Sequence, residues 1–119
     1  MDTSNMAKTV GNVNAGNATK NVAVIGVGNI GYRHLQSLTT LPSHLYSIFA
    51  LEPVEDRRNF LSHEFPNVPN LTILDDINTL PPTIDLAVIA TSSNVRRAVF
   101  QSLIGHSKVI KSIKIKGWI

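Results

Sequence analysis

The segment from Asn21 to Thr39 (NVAVIGVGNIGYRHLQSLT) constrains this 119-residue chain more than any other. Val22 to Ile25 is an apolar, mostly β-branched run that suits a strand buried on both faces. Gly26, Gly28 and Gly31 follow at G-x-G-x-x-G spacing, and Ile30, Leu35 and Leu38 then fall roughly on one helical face. A strand, a glycine turn and a helix in that order predict an α/β fold that opens on a ligand-binding turn.

Each glycine has a physical task in such a turn. Gly26 lets the backbone leave the strand sharply, Gly28 lets a pyrophosphate approach the backbone, and Gly31 lets the helix pack close to the strand. The free N–H groups and the dipole of the new helix then face the phosphates. These features predict a dinucleotide site built on Gly26, Gly28, Asn29, Ile30 and Gly31. A glycine-rich turn that binds nothing, or one that takes S-adenosylmethionine, are the competing readings.

A second apolar run, Leu45 to Leu51, predicts the next strand, which ends at Glu52. Glu52 follows Gly31 by about 20 residues, where a dinucleotide fold carries the carboxylate that accepts hydrogen bonds from the adenosine ribose. A carboxylate there repels a 2′-phosphate, so NAD is expected in preference to NADP. Arg57 and Arg58 stand close behind and argue the other way, as cations that suit that phosphate. A solvated loop carboxylate is the plainer reading of Glu52.

The rest of the chain continues the alternation. Leu41-Pro42 closes the first helix. Glu55 to Phe65 predicts a helix with Phe60, Leu61 and Phe65 buried, and the prolines at 66 and 69 break it. His63 reads as a surface histidine, with no second ligand at i±4. Leu71 to Leu74 predicts a short strand. Asp75-Asp76 at its end reads as a cap for the Ile77 to Leu80 turn, ahead of a metal or acid–base pair, because adjacent strand residues point to opposite sides. Asp85 to Ala90 (DLAVIA) predicts a buried strand, and Thr91-Ser92-Ser93-Asn94 follows at its C-terminal end, beside the expected crevice. Val95, Val99, Phe100, Leu103 and Ile104 predict an amphipathic helix with Gly105 as its C-cap. Lys108 to Ile119 (KVIKSIKIKGWI) begins as a fifth strand with poor alternation. The expected architecture is a doubly wound, mostly parallel Rossmann-type sheet in three α/β/α layers, with right-handed crossovers. It spans residues 21–119, after a mobile tail over residues 1–20 that is rich in Asn, Thr, Gly and Ala.

Composition narrows the partners. The net charge of +3 and the scattered arginines give no basic stripe, and aromatic residues are only 6%, so nucleic acid is not an expected partner. No stretch approaches the roughly 20 apolar residues of a membrane span. The absence of cysteine excludes disulfides and thiolate metal sites and mildly favours the cytoplasm.

Val22 to His34 (VAVIGVGNIGYRH) resembles the opening of the Gfo/Idh/MocA oxidoreductases, with Gly26, Gly28, Gly31 and His34 matching G-x-G-x-x-G-x-x-H. Glu52 matches that family's acidic residue after the second strand. Asp85 to Ser92 (DLAVIATS) is similar to its D-x-V-x-I-A-T-P, and Gly105 to Val109 (GHSKV) to its G-K-H-V. The resemblance implies NAD(P) binding, with Thr91, Ser92 and Asn94 lining the crevice toward the nicotinamide. It also implies hydride transfer on sugar- or polyol-like substrates and a second, substrate-holding domain. Lys116 falls where the family's E-K-P lysine stands, but between Ile115 and Gly117, and Arg96 replaces a frequent histidine. No substrate domain follows in this sequence. The chain is therefore expected to bind a dinucleotide and to be inactive alone, unless another chain completes the site. A non-enzymatic nucleotide-sensing or interaction module is the alternative. An apolar surface left by a missing domain would favour self-association.

Overall fold

The computed structural model describes residues 19–106 and 109–116. A five-stranded, all-parallel sheet organises the chain. Its strands are β1 (Lys20–Ile25), β2 (Tyr46–Leu51), β3 (Leu71–Leu74), β5 (Leu86–Ile89) and β7 (Ile113–Ile115), in the order β3-β2-β1-β5-β7. The order doubles back at β1, so the chain winds outward in both directions from the strand that carries the glycine turn. Val22 pairs with Ile48 on one side and Leu86 on the other. A second ladder joins β4 (Thr83–Ile84) to β6 (Val109–Ile110), also in parallel.

Three helices cover the two faces. Helices α1 (Asn29–Leu38) and α2 (Glu55–Glu64) lie on one side, and α3 (Ser93–His106) on the other with the 3-10 turn Ile77–Thr79. The two cores show the strand period directly. Val24, Ile48 and Ala50 pack with Val27, Leu35 and Leu61 on the first face, whereas Ala23, Ile25, Leu51, Ala87 and Ile89 pack with Leu103 on the second. Central strands buried on both faces need apolar residues at every position, which is why β1 and β5 read as continuous hydrophobic runs. The three-layer Rossmann architecture expected from the sequence is present.

Several local expectations need correction. The fourth strand is Leu86–Ile89 instead of Asp85 to Ala90, an unexpected two-residue strand precedes it at Thr83–Ile84, and the fifth divides in two. Asp85 stands between β4 and β5: its carboxylate accepts the Asn21 N–H at 2.7 Å and pairs with Lys111 Nζ at 3.1 Å. This anchors the small β4–β6 ladder to the start of β1. The strand that joins the main sheet is Ile113–Ile115, so Lys108 does not begin it, and residues 107–108 lie outside the described residues. Gly105 is not a C-cap, because α3 runs on to His106, whose Nε2 lies 2.8 Å from the Leu80 carbonyl. On α2, Leu61 is buried, but Phe60 is 39% exposed under the Arg57 guanidinium. Asp76 does cap the 3-10 turn, its Oδ1 accepting the Asn78 N–H at 3.0 Å. Strand β1 starts at Lys20, inside the expected tail, and residues 1–18 lie outside the described residues.

Candidate dinucleotide site

The site is assembled where β1 ends. Gly26 adopts φ +85°, in the left-handed region, and its N–H donates to the Leu51 carbonyl at 2.9 Å. A Cβ on Gly26 would stand 2.7 Å from Thr91 Cγ2. A Cβ on Gly31 would collide with the Gly26 carbonyl oxygen, so that glycine lets α1 sit directly on the turn. Gly28 is different: nothing lies within 4 Å of where its Cβ would be, and its φ of −79° suits any residue. Two of the three glycines are thus demanded by the fold, and the third leaves open space before α1. No side chain caps α1, and its first turn holds no acidic residue. The leading N–H groups of Asn29 and Ile30, at the exposed end of the helix, therefore face an opening that suits an anion.

Glu52 closes the other side of the turn. Its side chain is only 7% exposed. Oε1 accepts the Val27 N–H at 2.8 Å and Oε2 the Val54 N–H at 3.0 Å. It is not a solvated loop carboxylate. It fastens the glycine turn to the entry of α2. An ionised carboxylate has about four acceptor positions, so two remain after these bonds for ribose hydroxyls.

A cavity of about 380 Å³ opens between these elements and α3. Gly26, Leu51, Pro53, Asp75, Thr91 and Val95 are among its walls. Its volume and apolar lining fall in the range of about 300–1,000 Å³ typical of small-molecule sites. It lies at the C-terminal ends of the strands, against the strand from which the sheet winds both ways, where open α/β sheets take their ligands. Thr91 Oγ1 is buried with no hydrogen-bond partner among the described residues, so the wall carries an unused polar atom. The donors of α1, the gap above Gly28 and the carboxylate of Glu52 stand around the same strand end as this cavity, whose walls include Gly26 but not Gly28, Asn29, Ile30 or Glu52.

A family model described as an oxidoreductase family with an NAD-binding Rossmann fold matches residues 20–112. The chain belongs to the Gfo/Idh/MocA oxidoreductase family. No curated protein matches it. NAD is the cofactor of this family domain, as the sequence led us to expect.

Other expected site residues of this Gfo/Idh/MocA domain fall in different places. Ser92 and Asn94 lie on the exposed lip, where Ser92 Oγ donates to Asn94 Oδ1 at 2.6 Å, and only Thr91 of the three lines the cavity. Lys116 is exposed just past β7, its backbone N–H donating to the Ile89 carbonyl at 2.8 Å. Arg96 borders a separate cleft of about 300 Å³ with Ser93, Arg97, Phe100 and Ile115. His63 is exposed, with Nδ1 3.0 Å from the Asn59 carbonyl.

Arg57 and Arg58 both turn toward the site, but differently. Arg58 Nη1 donates to the carbonyls of Glu52 and Pro53 at 2.9 and 2.7 Å. Arg57 Nε donates to the Val27 carbonyl at 2.6 Å. Nearby, Tyr32 OH donates to Glu64 Oε1 at 2.7 Å, and this bond to a carboxylate raises the phenol's pKa above its ordinary value. Among the described residues, no group of three His, Cys, Asp or Glu residues is placed to hold a metal ion, and no helix is long and apolar enough to cross a membrane.

Sequence reasoning did not single out the cavity's other walls. Asp75 and Ile77 come from the segment after β3, and Val99 and Ser102 from α3. Asp75 alone carried a signal, as the first residue past a parallel strand's C-terminal end.

Proposed function

We propose that this domain holds the ADP half of NAD(H), with the pyrophosphate on Gly26 to Ile30, the adenosine ribose at Glu52 and Thr91 on the crevice wall toward the nicotinamide. The observation that carries this reading is the contrast among the glycines. Gly26 and Gly31 are fixed by sterics, while Gly28 stands before open space at an uncapped helix start. When bound, the nicotinamide supplies hydride-transfer chemistry. The chain's own residues bind and orient it: backbone N–H groups balance the phosphate charge, Glu52 fixes the ribose, and Thr91 contributes a hydroxyl to the wall.

The reaction served is hydride transfer on a sugar- or polyol-like substrate, as the family likeness suggests. Lys116 is the candidate proton-transfer group by position. A lysine that works near neutral pH needs desolvation or a neighbouring charge. Lys116 is exposed here, so its action requires a further surface to cover it, from a second chain or another segment. That exposure favours a second reading, in which the domain senses or presents the nucleotide without turnover.

The test is a calorimetric titration of the folded chain with NADH, followed by assays of NAD reduction with sugars and polyols. Saturable NADH binding that Gly28→Ala abolishes supports the site. A folded chain that binds neither NADH nor NADPH overturns it. Binding without turnover, alone or with candidate partner chains, favours the sensing reading.

A further inference from the structure

The charge of this chain is uneven along its length. All eight acidic residues stand at or before Asp85, whereas Arg96, Arg97, Lys108, Lys111, Lys114 and Lys116 come after it. Two of these cations meet in the cleft of about 300 Å³ that Ser93, Phe100 and Ile115 complete. Ser93, Arg96, Arg97 and Phe100 stand at i, i+3, i+4 and i+7 of α3, so they share one face of that helix, and Ile115 is the last residue of β7. Neither arginine has a carboxylate partner among the described residues, where the ion pair joins Lys111 to Asp85. Arg96 Nε is shielded from water and makes no hydrogen bond there. Its donor is unsatisfied, and no protein bond at Nε has to break when the guanidinium turns onto an oxyanion. Helix α3 starts at Ser93 with no acidic residue in its first turn, so its dipole adds positive potential at the same end. Phe100, half-buried, and Ile115, exposed, give the cleft carbon surface beside the two charges.

The neighbours of the cleft tie it to the reaction. Ser93 follows Ser92 on the exposed lip of the crevice, and Ile115 immediately precedes Lys116. A substrate placed between that lip and Lys116 stands against the two arginines. Resting on the hydride-transfer reading above, we propose that this cleft binds an acidic group of the substrate, which is then a sugar or polyol that carries a carboxylate or a phosphate. Arg96 takes the oxyanion on its planar fork, Arg97 supplies a second cation at the exposed rim, and Phe100 and Ile115 support the carbon chain. A neutral sugar draws nothing from either charge, so the pair selects for the acid.

The test is calorimetry of the full chain, first with NADH and then, once saturated, with D-gluconate, D-glucitol 6-phosphate or neutral D-glucitol. It is run on wild type, Arg96→Gln, Arg96→Lys, Arg97→Gln and Arg33→Gln, each first shown to be folded. Wild type is expected to bind at least one of the anions about tenfold more tightly than glucitol, the scale of a charge-assisted contact. Which anion it binds separates a carboxylate substrate from a phosphorylated one. Arg96→Gln is expected to remove that advantage, and Arg96→Lys, which keeps the charge without the fork, to fall between the two. Arg97→Gln, at the rim, should weaken the anion by less than Arg96→Gln does. Arg33 is exposed on α1, across the sheet from α3, and its loss should change anion affinity by less than about twofold. The assignment is overturned if glucitol binds as tightly as both anions, if Arg96→Gln changes nothing, or if Arg33→Gln weakens the anion as much as Arg96→Gln does. NADH binding with neither anion bound overturns the substrate assignment and leaves the dinucleotide reading standing. A folded wild type that binds no NADH overturns the dinucleotide reading, and the substrate assignment with it.

Discussion

Replacing Glu52 with alanine is expected to act first on stability, before any effect on ligand. The Glu52 carboxylate is buried and accepts two backbone N–H bonds, at 2.8 Å from Val27 and 3.0 Å from Val54. The two losses differ. Val54 is exposed, so water replaces its partner. Val27 is fully buried, so its N–H is stranded at about 1–3 kcal/mol. Lost packing of the Glu52 stem adds about 1 kcal/mol. The total is about 2–4 kcal/mol, against about 5–15 kcal/mol for the stability of a whole domain. For a domain of this length that is a fall of roughly 10–25 °C in Tm. Glu52→Gln keeps one oxygen for the Val27 N–H and should lose only about 1 kcal/mol. The assay is urea and thermal denaturation of the three proteins, read by circular dichroism. If Glu52→Ala is as stable as wild type within about 0.5 kcal/mol, the carboxylate does not fasten the turn and the reasoning fails. A consequence for binding work follows: loss of NADH binding in the alanine variant does not by itself identify a ribose ligand, and the glutamine variant is the proper control.

The glycines should separate in the same assays. Gly31→Ala drives a Cβ into the Gly26 carbonyl and should be the least stable, Gly26→Ala adds about 1–2 kcal/mol of left-handed strain to its clash with Thr91, and Gly28→Ala should keep its Tm within a few degrees while losing dinucleotide affinity. Asp85 has its pKa lowered by the Asn21 N–H and then by Lys111; a carboxylate so shifted stabilises the fold above its unfolded pKa, and that contribution is lost as pH falls through the folded one. Asp85→Asn keeps an oxygen for the Asn21 N–H and should therefore cost about 1 kcal/mol near neutral pH, with the gap to wild type closing on acidification in pH-dependent denaturation. The phenol of Tyr32, held protonated by Glu64, should titrate at lower pH in Glu64→Gln, as followed by the ultraviolet phenolate band; an unchanged titration would contradict the bond.

The central strands and the glycine turn were legible because their residues leave little choice. Val22 to Ile25 and Leu86 to Ile89 are apolar at every position, as strands covered on both faces must be. Glu52 was legible by spacing, but not what it bonds, since the partners of its oxygens come from the turn and from α2. The β4–β6 ladder was hidden because two-residue strands carry no period. Gly105 misled because a glycine near a helix end usually stops it, yet here nothing crowds the position and α3 continues to His106. Phe60 misled because hydrophobicity alone was read as burial, when a cation stacked on the ring satisfies it at the surface.

The sheet order carries a consequence for how the molecule holds together. Val22 meets Ile48 across one intervening helix, but Leu86 only after two helices and β3. Every other ladder of the main sheet joins near neighbours in the chain, so β1–β5 is a seam between two halves that each assemble from shorter closures. The cavity straddles that seam, with Gly26, Leu51 and Asp75 from one half and Thr91, Val95 and Val99 from the other. A nucleotide lodged there would act as a strut between the halves. Fragments divided near Pro81-Pro82 should then reassociate more readily with the nucleotide present, because the ligand binds only the joined state.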